Sequence, residues 1–147
     1  MKIVTQRVSR AEVRVEGNSV GKINHGMLIF IGVDKEDTTA DADYLAGKVA
    51  QLRMFEDGQG KMNLSSIDVG AEILVVSQFT LYGDCRKGRR PSFDQASDPQ
   101  KGEGLYNHFI NELRKLKMKV ATGKFQAMMD VELVNDGPVT FILESRS

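Results

Sequence analysis

The chain has 147 residues, 41% of them hydrophobic and 27% charged, enough to bury a core yet below the size at which chains usually divide. One domain over residues 1–147 is expected. Twenty basic and twenty acidic residues cancel, so a polyanionic partner would have to be held by local patches rather than by whole-molecule charge.

Ile3 to Val8 and Ala11 to Glu16 read as strands, the second alternating Val13 and Val15 against Glu12, Arg14 and Glu16. Gly17-Asn18 turns the chain into Val20 to Ile23, and Asn24-His25-Gly26 turns it again into Met27 to Val33. That last run is the longest apolar one and is far too short to span a bilayer, while the first residues lack a signal-peptide core. No membrane association and a cytoplasmic location are therefore expected.

Thr38 or Thr39 caps a helix reaching about Phe55, with Leu45, Val49 and Leu52 on one face. Gly58, Gly60 and Gly70 punctuate a loop-rich stretch. Ile73 to Val76 then forms a second wholly apolar strand, which leads straight into Ser77-Gln78-Phe79-Thr80. Ser97-Asp98-Pro99 starts a second helix, striped by Leu105, Phe109, Leu113 and Leu116 and weakened early by Gly102 and Gly104. Phe125 to Val134 and Val139 to Leu143 read as strands flanking Asn135-Asp136-Gly137-Pro138, whose Asp-Gly step predicts a tight reversal. Strands and helices in blocks predict an α/β fold: mixed, largely antiparallel sheets forming a sandwich or half-closed barrel, with helices on one side.

Two basic clusters stand out, Arg86-Lys87-Gly88-Arg89-Arg90 and the set Arg114, Lys115, Lys117, Lys119 and Lys124. Ordinary solvated charge is the simpler account of the second. The two histidines, His25 in a predicted turn and His108 on a helix beside its apolar stripe, give little support to a Ser-His-Asp triad. With the single Cys85 they show no metal-ligand spacing, so no metal and no cofactor is expected. Cys85 has cationic neighbours but no identifiable partner base, and it is assigned no role.

The passage from Val76 to Ser77 carries more information. A chain turning at a strand end can aim successive backbone N–H groups at one oxygen and stabilise a tetrahedral oxyanion; Gln78 adds an amide and Thr80 a hydroxyl. The same residues can instead do no more than satisfy backbone groups at a strand end, and Gly137-Pro138 can be no more than a hairpin tip.

Taken together, Ser77-Gln78-Phe79-Thr80-Leu81 and Asn135-Asp136-Gly137-Pro138-Val139-Thr140 resemble the two signature motifs of the D-aminoacyl-tRNA deacylases. Gln6-Arg7-Val8, Lys61-Met62-Asn63-Leu64 and Arg90-Pro91-Ser92-Phe93 are similar to further stretches of that family. The resemblance implies hydrolysis of the ester of D-aminoacyl-tRNA, and of mischarged glycyl-tRNA, with L-aminoacyl-tRNA rejected. It implies a homodimer with shared active sites, in which Gly137-Pro138 of one subunit, joined by a cis peptide, enters the site formed by Ser77 to Thr80 of the other.

In that scheme the free 2′-OH of the tRNA's 3′-terminal adenosine assists attack on the ester, the N–H groups of Phe79 and Thr80 hold the oxyanion, and Gln78 orients the ester. An older scheme for the family makes Thr80 a nucleophile, which nothing nearby in sequence would activate. Arg7 corresponds to a residue that braces the Gly-Pro loop, and Asn135 opens that loop's motif. Two competing classes remain: an RNA-binding module without turnover that uses Arg86 to Arg90, and a small-molecule esterase. Turnover of D- against L-aminoacyl-tRNA separates the first, and activity on an ester lacking a vicinal hydroxyl would revive the second.

Overall fold

A computed structural model describes residues 1–146. In chain order its elements are β1 (Lys2–Val15), β2 (Asn18–Ile23), β3 (Gly26–Gly32), α1 (Thr39–Gln51), β4 (Phe55–Glu56), β5 (Met62–Leu64), α2 (Ser66–Val69), β6 (Glu72–Ser77), a 3-10 turn (Phe79–Tyr82), α3 (Pro99–Lys115), β7 (Lys119–Thr122) and β8 (Asp130–Glu144).

β1 organises the main sheet. Its first half pairs antiparallel with β3 and its second half with β2, while β8 runs antiparallel along nearly its whole length. β3 and β6 are parallel, as are β6 and β7, so the order is β2-β1-β3-β6-β7 with β8 also on β1. The sheet curls until β2 meets β7: a Cβ placed on Gly21 would overlap the carbonyl of Thr122. The result is a nearly closed, mixed barrel-like sheet, as the patterning predicts.

β3, and β6 from Ile73 to Val76, are apolar because both their faces are covered. Met27, Ile29, Ile31, Ile73 and Val75 pack against Leu45 and Val49 of α1 and Phe109 and Leu113 of α3. Leu28, Leu74 and Val76 point the other way, into the concave side, where Val8, Val13 and Ile23 meet them. α3 begins where its sequence says it should: Asp98 accepts a hydrogen bond from the Lys101 N–H and Pro99 takes the first helical position.

Five elements differ from the sequence reading. The strand expected from Phe125 starts only at Asp130, where pairing with Arg14 of β1 begins. α1 ends at Gln51, because Phe55, buried in the core, pairs with Leu64 in a two-stranded ribbon. β1 is one strand: Val8 pairs with Asn135 and Arg10 with Val134, so the register shift between Val8 and Arg10 absorbs Ser9 as an extra residue. β7 begins inside the second basic cluster, at Lys119. The largest correction concerns Asn135 to Pro138, which is not a reversal between two strands. β8 runs through it without changing direction, Asn135 pairing with Val8 and Thr140 with Gln6, so the residues between them bulge out of one strand. Continuous pairing with β1 on both sides overrides the local turn propensity of Asp-Gly.

Candidate active site

Ser77 is the last residue of β6 and lies in register with Ile31. The Gln78 N–H still donates to the Ile31 carbonyl at 2.8 Å, after which the chain leaves the sheet and winds into the 3-10 turn. Leu81 and Gly83 donate back to the Gln78 and Thr80 carbonyls at 3.2 and 2.9 Å. The N–H groups of Phe79 and Thr80 come first in the turn and find no acceptor among the described residues. The Gln78 side-chain amide donates to the Thr80 hydroxyl oxygen. Thr80 and Phe79 are exposed, and the Phe79 ring rests against Phe93 at a centroid distance of 5.1 Å.

Tyr82 closes the turn, its ring under the Lys2 ammonium at 5.0 Å. Burial pushes its hydroxyl pKa well above the ordinary tyrosine value, helped by Asp37 and Asp34, so it stays protonated and is no general base near neutral pH. A shallow cavity of about 420 Å³ borders the far side of the turn, lined by Leu81 to Asp84 and by Gln95.

The second motif is built by side chains that grip a backbone. Asn135 spans the bulge, its carbonyl accepting from the Val139 N–H at 3.0 Å and its amide donating to Thr140 Oγ1 at 3.1 Å. Arg7 is 5% exposed and holds the bulge to the core: Nε donates to the Asp136 carbonyl at 3.1 Å and Nη1 to the Met54 carbonyl at 3.0 Å. The Asp136 and Glu56 carboxylates lie 3.4 and 3.7 Å from the same guanidinium. Gly137 has φ 131°, and a Cβ there would fall 2.8 Å from Val139 Cγ2 and 3.1 Å from Arg7 Nη2, so no other residue fits without displacing them. The Gly137-Pro138 peptide is cis, and both residues are exposed.

Arg7, Asn135, Gly137 and Pro138 thus form one group and Ser77 to Thr80 another. Within one chain the two groups stay apart. Ser77 aligns through Ile31 with Ile3 of β1, whereas the bulge sits beside Arg7 on the opposite flank of β1. Four residues along the strands and three strand spacings across them make the path over the sheet roughly 20 Å.

One grouping escaped the sequence reading: His108 and Glu112 of α3 meet Asp43 of α1, with His108 Nε2 2.7 Å from Asp43 Oδ1. Sequence spacing exposes only the i,i+4 pair, because Asp43 arrives from another helix. Glu112 also holds Lys115 at 2.9 Å, and the cluster reads as an ion-paired contact between helices. His25 packs edge-on against Phe55 at 5.4 Å. Cys85 is free and exposed.

Fold and turn together define a class: an α/β protein that presents main-chain N–H groups, hydrogen-bonded to no ionisable side chain among the described residues, at the end of a buried strand. Comparison with known proteins makes this particular. Residues 4–144 match the D-Tyr-tRNA(Tyr) deacylase family. D-aminoacyl-tRNA deacylases of Thermotoga petrophila and Desulfatibacillum aliphaticivorans are 59% and 60% identical, covering 99% of this chain and 97% and 100% of those proteins. The chain belongs to this family of hydrolases. A solved structure of a c-Myc DNA unwinding element binding protein is 42% identical with a TM-score of 0.94, covering 100% of both chains. A probable eukaryotic D-amino acid tRNA deacylase shares the fold at 18% identity and a TM-score of 0.84, over 97% of this chain and 98% of that one.

Proposed function

We propose that this protein hydrolyses the ester of D-aminoacyl-tRNA, and of glycyl-tRNA, and refuses L-aminoacyl-tRNA. The observation that carries the reading is the pair of unpartnered N–H groups at Phe79 and Thr80. Two convergent donors aimed at a developing alkoxide are what an acyl-transfer transition state needs. The vicinal 2′-OH of the substrate's terminal adenosine assists attack on the 3′ ester, and Gln78 orients the ester end. Ser77 sets the position of the turn at the strand end.

Thr80 as nucleophile is disfavoured, since its hydroxyl accepts a hydrogen bond from the Gln78 amide and no base is hydrogen-bonded to it among the described residues. Thr80→Ala, refolded and assayed on D-tyrosyl-tRNA, is expected to keep turnover within about tenfold of wild type, the scale of a lost orienting contact rather than a lost nucleophile. Complete loss with an intact fold would return the nucleophile scheme.

Stereochemistry is read by Gly137-Pro138. A rigid main-chain bulge can occupy the space an L side chain needs while ignoring what a D side chain is, and it excludes nothing that glycine presents. Since that bulge and the turn are separated by a path of roughly 20 Å over the sheet of one chain, the reading requires a second copy. Exposed apolar side chains on β8 and the turn, Ile142 at 69% and Phe79 at 59%, are available to a homodimer interface. Such a dimer makes each site from two subunits, in the cytoplasm where aminoacyl-tRNA is consumed.

The test is deacylation of tRNA carrying D-Tyr, L-Tyr or Gly, with hydrolysis of the first and third expected; L-Tyr hydrolysed as fast as D-Tyr would refute the chiral role. Sharing is tested by mixing Phe79→Pro, expected to be nearly inactive, with Pro138→Ala, expected to hydrolyse L-Tyr as well as D-Tyr esters. In a mixed dimer the one working turn faces the intact Gly137-Pro138 of the other subunit, so co-refolding should restore rejection of L-Tyr; an unchanged D-to-L ratio despite mixed dimers would place both motifs in one subunit's site.

A nucleic-acid-binding role without turnover is the second reading, favoured by the 42% identical relative named for binding a DNA element. The same deacylation assay separates the two.

A further inference from the structure

We infer that the loop of residues 84–92 is the phosphate-binding arm of the site, with Lys87, Arg89 and Arg90 seating the sugar-phosphate backbone of the tRNA acceptor end. The inference rests on the tRNA-ester reading above and assigns the contact by which so neutral a protein would hold a polyanion.

Three observations carry it. The loop is fixed at its base rather than hanging free: Asp84 and Ser92 exchange both backbone hydrogen bonds, at 2.7 and 2.9 Å. It is packed on the candidate site from both ends. Gly83 donates to the Thr80 carbonyl, and a Cβ on Gly83 would meet that oxygen at 3.0 Å and the Phe93 ring at 3.1 Å. Phe93, just beyond the loop, lies against Phe79. The same turn that offers its N–H groups therefore also orients the loop.

The cations of the loop are also sorted by partner. Arg86 is spent internally, donating to Asp84 through Nε and Nη2 at 2.9 and 2.7 Å, and it holds that carboxyl down at about 2. Asp84 is thereby neutralised and stays so across the physiological range. Lys87, Arg89 and Arg90 are exposed and join no ion pair among the described residues. With twenty charges of each sign in the chain, three adjacent cations left uncompensated beside a reactive ester site are a local field of the kind that binds phosphates. Most other arginines here are paired: Arg10 and Arg14 with Glu132, Arg7 with Asp136, Arg146 with Asp37.

The test compares two D-tyrosyl esters, one on full-length tRNA and one on adenosine alone, with the triple variant Lys87→Ala/Arg89→Ala/Arg90→Ala. Each cation lost removes roughly 0.7 to 0.9 from the slope of log affinity against log salt, so three should flatten it by about 2 and cost about 50-fold in kcat/KM for tRNA near physiological salt. The loss, in KM, should exceed that on the adenosine ester at least tenfold. Equal losses on both esters, or an unaltered salt slope, would overturn the assignment. So would a triple Lys117→Ala/Lys119→Ala/Lys124→Ala variant with the larger effect on tRNA, which would move the contact to the other cluster. A wild-type protein that hydrolyses neither D ester would instead remove the functional reading on which the assignment stands.

Discussion

Phe79→Pro is expected to hydrolyse D-tyrosyl-tRNA about 100- to 1,000-fold more slowly than Phe79→Ala, the range found when one oxyanion donor is removed from other hydrolases. The two variants lose the same aromatic contact with Phe93 and differ in a single atom of interest, the amide hydrogen. Proline is tolerated at the first position of a helical turn, where φ is already near its fixed value, and Phe79 occupies that position. Because the Phe79 N–H has no acceptor among the described residues, its removal should leave the melting temperature of Phe79→Pro close to that of Phe79→Ala. Equal turnover of the two would show that the N–H does not touch the reacting oxygen, and the turn would revert to a strand terminus.

Arg7→Ala should act on selectivity through a different route. The guanidinium is buried and holds the Asp136 and Met54 carbonyls; hydrogen bonds to a charged donor contribute about 1.5–3 kcal/mol each, so the variant should lose about 3 kcal/mol. For a chain of this size that is a fall of about 10 °C in Tm. Without the brace, the bulge carrying Gly137 and Pro138 loses its fixed height, and the D-to-L ratio of kcat/KM should drop about tenfold, the value of a misplacement on the scale of an ångström or less. Arg7→Lys should recover little, since an ammonium cannot span two carbonyls with a planar fork. A control such as Val13→Ala, in the concave core, separates positioning from stability: if it lowers the D-to-L ratio as much at matched Tm, Arg7 is only a structural residue.

The parts of the molecule legible in sequence are those whose pattern is local. β3 and the Ile73 to Val76 core of β6 announce themselves as apolar runs, and α3 by Asp98-Pro99 and a stripe that is buried at Leu105, Phe109 and Leu113. What failed was set by distant partners. Ser9-Arg10 looks like a break until β8 is seen to pair across it, and Asp136-Gly137 looks like a hairpin tip until β1 is seen to pair on both sides. β7 is four residues long and half buried, so Lys119 hides it inside a charged cluster. At the site, the two motifs could be located from sequence and resemblance. The grip of Arg7 on Met54 and Asp136 and the pairing of Asp84 with Ser92 are long-range geometry that no spacing encodes.

A hairpin tip can open while the sheet beneath it stays intact, because nothing pairs beyond it. The Gly-Pro bulge lies inside the longest strand pair of the molecule, flanked by pairing at Asn135 and Thr140, so it can relax only when the sheet itself comes apart. Heat, or a substitution in some remote part of the core, is therefore expected to reduce the number of working molecules without loosening, in those that remain, the chiral gauge proposed for the bulge. In that proposed role the enzyme would fail by becoming scarce before it became inaccurate.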